Sequence, residues 1–195
     1  MITLITLIIV ISGTPGVGKS TVAKALSEKL NFKLLHLSSF LVEKKAYSEY
    51  DKNRKTYILD EEKAESVIRE LLSTENNLVI ETVYPALVSK ADKVVVLRRH
   101  PLSLYEELKK RGWNELKVAE NVEAEILGVV SSEAYENFSN VCEIDVTDKT
   151  IDRILEMVEN YECERVDWLG DERVQSLLFE LDKIISEYED YENRE

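Results

Sequence analysis

Eight residues near the amino terminus, Gly13-Thr14-Pro15-Gly16-Val17-Gly18-Lys19-Ser20, follow the apolar run Leu7-Ile8-Ile9-Val10-Ile11 and fit the pattern G-x-x-x-x-G-K-S/T. The spacing serves phosphate chemistry. Glycines at these positions let the backbone curl so that successive N–H groups converge on phosphate oxygens, and a helix opening near Lys19 adds the positive end of its dipole. Lys19 is then placed to bridge the β- and γ-phosphates and the Ser20 hydroxyl to ligate Mg²⁺. Gly16, Gly18 and Thr21 complete the expected phosphate contacts. A chain with this loop between a strand and a helix binds a nucleoside triphosphate such as ATP.

The loop needs a strand before it and a helix after it, and both patterns are present. Residues 7–11 read as a strand buried on both faces, and Val22, Ala23, Leu26 and Leu30 recur with helical spacing. Lys33–Leu37 reads as a second strand and is followed by a polar, tyrosine-bearing stretch to about Tyr57. Asp60 is placed to cap a helix through Ala64, Val67, Ile68, Leu71 and Leu72. Further strands are expected at Leu78–Ile80, Val94–Leu97 and Val141–Val146, and further helices at Leu102–Lys110, Val118–Val130 and Ile151–Val158. This βαβ rhythm predicts an α/β fold of three layers, a parallel central sheet covered by helices on both faces, with ligands at the carboxyl ends of the strands. Arg98 and Arg99 follow a strand at that end. Adjacent side chains on an extended segment point opposite ways, so one of the two is expected to be structural. Ser89-Lys90-Ala91-Asp92 loosely resembles a guanine-reading motif, but it precedes a strand where that motif follows one, and it is read as a surface loop.

Composition sets the frame. The chain has 195 residues, 44% of them apolar, enough for one sizeable core. Its net charge is −13, and residues 156–195 carry −10 of this, so the body is near neutral and the tail acidic. Broad binding to nucleic acid by the whole chain is disfavoured, whereas locally placed cations still suit a polyanionic nucleotide. The two cysteines, Cys142 and Cys163, are read as neither a disulfide framework nor a metal site, which predicts a reducing, cytoplasmic setting. The apolar start at residues 1–10 is too short to span a bilayer, so no membrane partner is expected.

A second set of residues joins the loop. Ile58-Leu59-Asp60-Glu61-Glu62, Leu104-Tyr105-Glu106-Glu107-Leu108, Arg111-Gly112-Trp113-Asn114-Glu115, Glu120-Asn121-Val122-Glu123-Ala124-Glu125-Ile126 and Glu133-Ala134, with the phosphate loop and Thr21, resemble the adenylate kinase isoenzyme-six family. These are small adenylate-kinase-like ATPases linked to maturation of the small ribosomal subunit, and the resemblance covers about residues 5–160. It implies a nucleoside monophosphate kinase-like P-loop domain at residues 1–161, with a monophosphate-binding segment at about 36–59 and a short lid at about 110–120. Residues 162–195 lie outside it as an acidic helical extension. The implied activity is phosphoryl transfer from ATP, with Mg²⁺, to AMP or another monophosphate, together with possible ATP hydrolysis. The implied partners are a basic platform protein of the small subunit and the pre-ribosomal small subunit.

Site residues follow from the likeness and from charge. Lys19, Arg111 and Glu81 are the expected catalytic set, Arg111 swinging beside the Gly112 hinge over the triphosphate, and Glu81 joining Ser20 at the metal. Lys109, Lys110 and Lys117 are read as solvated partners of nearby glutamates. The family carries Asp-x-His after its third core strand, where this sequence has Glu81-Thr82-Val83, so the histidine associated with water activation is missing. His36 and His100 are read as packing or surface residues. A family arginine of the monophosphate segment falls on Val42, leaving Lys44, Lys45, Lys52 and Arg54 as the cations there. In the tail, Leu169, Val174, Leu177, Leu178, Leu181, Ile184 and Ile185 form one helical stripe, read as packed on the core in preference to a docking helix. A P-loop kinase for a small metabolite and a nucleotide-gated binding protein with negligible turnover remain as alternatives.

Overall fold

In the computed structural model, residues 7–51 and 56–192 are described. β1 (Ile8–Ser12) runs through the middle of a five-stranded sheet, parallel to β5 (Leu78–Glu81) on one side and β6 (Lys93–Arg98) on the other. β2 (Lys33–His36) extends the sheet beyond β5, and β7 (Val141–Asp145) extends it beyond β6, both in parallel. Every residue of β1 is buried, as a central parallel strand with two covered faces requires. Alternation along the strand divides the core. Ile9 and Ile11 face the cluster built with α1 (Lys19–Leu30), α4 (Pro101–Lys110), α5 (Glu115–Ile126), α7 (Ile151–Asn160) and α8 (Glu172–Glu192). Ile8 and Val10 face the cluster built with α2 (Leu37–Glu43), α3 (Glu61–Thr74) and α6 (Val129–Asn137). The result is the expected three-layer α/β fold of P-loop, nucleoside monophosphate kinase type.

Local signals explain most boundaries. The Asp60 side chain accepts from the Lys63 N–H at 3.1 Å and starts α3, and the Asn114 side chain does the same for the Lys117 N–H at 2.7 Å at the head of α5. Asp92, from the GTPase-like tetrapeptide, accepts the Ile8 N–H at 2.8 Å and so belongs to the edge of β1. The tyrosine-bearing stretch holds two elements that periodicity does not reveal, the short helix α2 and an antiparallel pair, β3 (Tyr47–Asp51) with β4 (Thr56–Leu59). In this pair Tyr57 meets both Tyr47 and Tyr50 ring to ring. Lys52 and Arg54 lie outside the described residues.

The helical pattern expected over Val118–Val130 is two helices. Gly128 takes the left-handed conformation (φ 67°), and the guanidinium of Arg98 caps the break by donating to the Glu125 carbonyl at 2.7 Å. Within the span 110–120, residues 115–120 form the first turns of α5 and carry the buried Leu116, Val118 and Ala119. The cysteines require a further correction: Cys142 and Cys163 are joined in a disulfide, with Cα atoms 5.0 Å apart. Although 21 residues separate them, a bridge between Glu143 and Glu164 lays the segment after α7 beside β7. Two thiols read as unpaired therefore no longer argue for a reducing compartment.

Beyond α7 the chain returns to the body. Leu169 precedes the helix and is exposed, while Val174, Leu177 and Leu181 of α8 are buried against α5 and α4. Leu181 is fully enclosed, so Leu181→Ala is expected to lower unfolding free energy by about 2–5 kcal/mol, the range for truncating a core leucine. Urea unfolding checks this; a loss below about 0.5 kcal/mol would mean that α8 is not part of the core.

Candidate nucleotide site

β1 delivers the phosphate loop to the carboxyl edge of the sheet. Ser12 Oγ donates to the Thr82 carbonyl at 2.9 Å, tying the base of the loop to the end of β5. Gly13 (φ 138°) passes so close to β6 that a Cβ would sit 2.4 Å from the Leu97 carbonyl oxygen, and a Cβ on Gly16 (φ 94°) would meet Leu104 and Leu108 of α4 at 2.8 and 2.7 Å. Only glycine fits at either point. Lys19 follows at the head of α1 with 6% of its surface exposed, and its Nζ donates to the Thr14 carbonyl at 3.1 Å. Burial lowers its pKa to about 8, opposed through space by Glu81 and Glu125 and assisted by Arg111. A buried ammonium held by a neutral carbonyl favours the arrival of an anion.

Behind the loop lies a network of buried charge that sequence reading did not assemble. Arg98 donates through Nε to Glu125 Oε1 at 2.8 Å, through Nη1 to Glu143 Oε1 at 2.5 Å and to Ser131 Oγ at 3.1 Å. Ser131 Oγ in turn donates to Glu143 at 2.6 Å. Burial opposes the charge on Arg98, but the two carboxylates outweigh it and raise the pKa. Glu125 also takes the Arg99 N–H at 3.2 Å, the Trp168 indole N–H at 3.0 Å and, on its other oxygen, the Thr14 hydroxyl at 2.7 Å. A signal for this was available, since Glu125 shares the apolar stripe of Val118, Val122 and Ile126, where a carboxylate must find partners. As expected, Arg98 and Arg99 diverge: Arg98 is structural, and Arg99 turns to the loop, where its Nη1 donates to the Gly16 carbonyl at 3.2 Å.

Among the described residues several clefts adjoin the loop; one, of about 560 Å³, is lined by Ser20, Thr21, Lys24, Glu28 and His36, and two more lie to either side. One, of about 330 Å³, is lined by Gly18, Thr21, Arg99, Ser103, Val146 and Lys149. The other, of about 410 Å³, opens between α2, β4 and the head of α5 and is lined by Leu41, Val42, Tyr57, Tyr84, Trp113 and Lys117. The first sets Arg99 and Lys149 beside Asp148 and the aliphatic Val22, Ile151 and Ile154; the second sets Tyr57, Tyr84 and Trp113 among aliphatic side chains, with Lys117, Glu120 and Asn121 at one side. Lys19 and the loop backbone stand between them.

The family model described as an AAA domain matches residues 9–128. A protein of Sulfurisphaera tokodaii bearing the name "Putative adenylate kinase" is 56% identical over 184 residues, spanning 94% of this chain and 97% of the relative. A protein of the same name from Pyrococcus abyssi is 40% identical over 152 residues, spanning 78% and 82%. The chain belongs to this adenylate-kinase-like family. Among solved structures, shikimate kinase from Bacteroides thetaiotaomicron shares the fold, with a TM-score of 0.55 at 18% identity over 80% of this chain and 98% of that one.

Within this adenylate-kinase-like fold the sequence-expected residues gather unevenly. Ser20 and Thr21 lie exposed on the first turn of α1 beside Lys19. Glu81 ends β5 with 16% of its side chain exposed, and its Oε2 lies 3.0 Å from His36 Nδ1 at the end of neighbouring β2. His36, read as packing or surface, is exposed, and parallel register places it opposite Glu81. Arg111 terminates α4 and pairs with Glu107 at 3.0 Å, yet it is near enough to act on Lys19. Lys117 lies over the Trp113 ring at 4.4 Å and Lys109 over Tyr105 at 4.8 Å. Lys44 lies over Phe40 at 5.7 Å. His100 packs against Trp168.

The lowered pKa of Lys19 has a measurable consequence. Between about pH 8 and its ordinary 10.5 the folded chain binds fewer protons than the unfolded one, so the burial cost is complete below about 8 and is relieved as pH rises towards 10.5. In nucleotide-free protein with EDTA, the stability advantage of Lys19→Met over wild type is expected to be largest below about pH 8 and to shrink towards 10.5. An advantage that does not change across this window, in paired urea titrations, would contradict the burial of the charge.

Proposed function

We propose that this protein is an adenylate kinase of the isoenzyme-six type, transferring the γ-phosphoryl group of ATP to AMP or another nucleoside monophosphate. The observation that carries this reading is the pair of clefts on either side of one phosphate loop. In the cleft by Arg99 the aliphatic Val22, Ile151 and Ile154 suit the nucleoside of the triphosphate and Arg99 its phosphates, and the rings of Tyr57, Tyr84 and Trp113 suit the flat base of the acceptor. In transfer, an acceptor phosphate oxygen attacks the γ-phosphorus while the bond to the β-γ bridging oxygen breaks, giving ADP and the acceptor's diphosphate, a second ADP when the acceptor is AMP. Lys19 stabilises charge gathering on that bridge, and Arg111 leaves Glu107 for the equatorial oxygens.

Ser20 and Glu81 offer hard oxygen donors of the kind Mg²⁺ takes beside substrate phosphates. Among the described residues no group of three or more His, Cys, Asp or Glu side chains could hold a metal by itself. An ion held by Ser20 and Glu81 beside substrate phosphates would neutralise charge on the transferring group.

Hydrolysis of ATP is a second reading, favoured by the contact between His36 and Glu81. An imidazole held by a carboxylate at a strand end can orient a water molecule and accept its proton. The role in small-subunit maturation, with a basic platform protein as partner in the cytoplasm, rests on the family resemblance and on the acidic tail, whose attraction for such a partner weakens with salt. No helix among the described residues is long and apolar enough to cross a membrane.

Product analysis tests the reading, with ATP alone and then with each monophosphate. ADP formed in proportion to added AMP supports the kinase, and ADP without any acceptor supports hydrolysis; absence of both contradicts the proposal. Lys19→Ala is expected to lower transfer at least about 100-fold, about 2.7 kcal/mol of barrier, in a folded chain. His36→Asn and Glu81→Gln are each expected to lower acceptor-free hydrolysis by about tenfold or more. Normal hydrolysis in both variants would leave the pair merely structural.

A further inference from the structure

Trp168 stands in the segment between α7 and α8, beyond the residues 9–128 matched by the AAA domain family, and the proposed transfer gives it no part. Its indole N–H donates to Glu125 Oε1 at 3.0 Å, an oxygen that also accepts from Arg98 and from the Arg99 N–H. The other oxygen of that carboxylate accepts the Thr14 hydroxyl, and the Thr14 carbonyl accepts Lys19 Nζ. The indole also meets His100 edge-on, with centroids 5.2 Å apart. His100 opens α4, the helix whose Leu104 and Leu108 close over Gly16. One side chain thus touches both supports of the phosphate loop, the carboxylate behind Thr14 and the helix above Gly16.

The segment carrying Trp168 is itself fixed. The Cys142–Cys163 disulfide ties its start to β7, and Glu164 accepts the Asp145 N–H at 2.8 Å and pairs with Lys149 at 3.3 Å. Farther on, Asp171 lies 3.4 Å from His100 Nε2, and α8 then packs on α5. The indole is presented to Glu125 by a scaffold outside the nucleotide clefts.

We propose that Trp168 is a positioning residue through which the carboxyl-terminal segment sets the phosphate loop, so that affinity for the triphosphate depends on a residue that does not touch it. The inference rests on the loop being the triphosphate site. Three donors on Glu125 Oε1 fix the carboxylate torsion and so aim Oε2 at Thr14. Without the indole N–H the carboxylate keeps its arginine contacts, but its plane is less constrained, and Thr14 and Lys19 lose a common reference.

The test uses the full-length chain, with the slowly hydrolysed analogue ATPγS and Mg²⁺ titrated calorimetrically into wild type, Trp168→Phe, Thr14→Val and the double variant. Trp168→Phe keeps a ring against His100 and removes only the donor. Its dissociation constant is expected to rise about fivefold or more, the scale of one typical hydrogen bond, while kcat at saturating ATP stays within about twofold. The double variant is expected to bind no more weakly than Thr14→Val alone, because both changes cut one connection. Affinity within about twofold of wild type in folded Trp168→Phe, or additive losses in the double variant, overturns the proposal. A lowered melting temperature with unchanged affinity also overturns it, leaving Trp168 a packing residue. Wild type that binds ATPγS but forms no ADP from ATP and AMP refutes the kinase reading, and the same titrations still decide the role of Trp168.

Discussion

A guanidinium buried between two carboxylates sets the geometry on which the nucleotide site depends. The Arg98 and Glu125 side chains are 4% and 1% exposed, and withdrawing such groups from water costs several kcal/mol per ion. That cost is offset because each nitrogen of the Arg98 guanidinium meets an acceptor, the Glu125 carboxylate and carbonyl on one side and Glu143 with Ser131 on the other. Breaking one side would leave a charge buried without its partner, a loss of about 3–5 kcal/mol. The arrangement therefore fixes the end of β6, the break between α5 and α6, and the Thr14 turn of the loop together.

The network also acts on chemistry. Two carboxylates around one guanidinium leave an excess negative charge, and through Glu125 this charge helps Lys19 remain protonated against the burial that lowers its pKa. Thr14 carries both connections, its hydroxyl to Glu125 and its carbonyl to Lys19. The loop is thus held from behind by the core, with a cleft to either side of it. Preorganisation of this kind lets a fixed cation stabilise charge in a transition state without reorganising during the reaction.

Much of this was legible in the sequence, and what was not has identifiable causes. The glycines and Lys19 declare the loop through spacing alone, and the uniformly apolar strands declare a buried parallel sheet. The antiparallel pairing of β3 with β4 escaped because its register shifts and its tyrosines alternate poorly. His36 escaped for a different reason: whether a histidine at a strand end faces Glu81 depends on which strand is its neighbour, and strand order is not a local property. The disulfide and the Trp168 contact are likewise products of the return of the chain after α7. Glu125 was the nearest to being readable, since a charge in an apolar helical stripe demands a buried partner.

The central claim is that one phosphate loop serves two nucleotide clefts at once. The most direct measurement is calorimetric titration with a bisubstrate analogue, two adenosines joined by five phosphates. The account predicts one molecule bound per chain, at least about 100-fold more tightly than ATP alone, because the second adenosine binds with little further loss of translational freedom. Binding no tighter than ATP, or two molecules per chain, would contradict it.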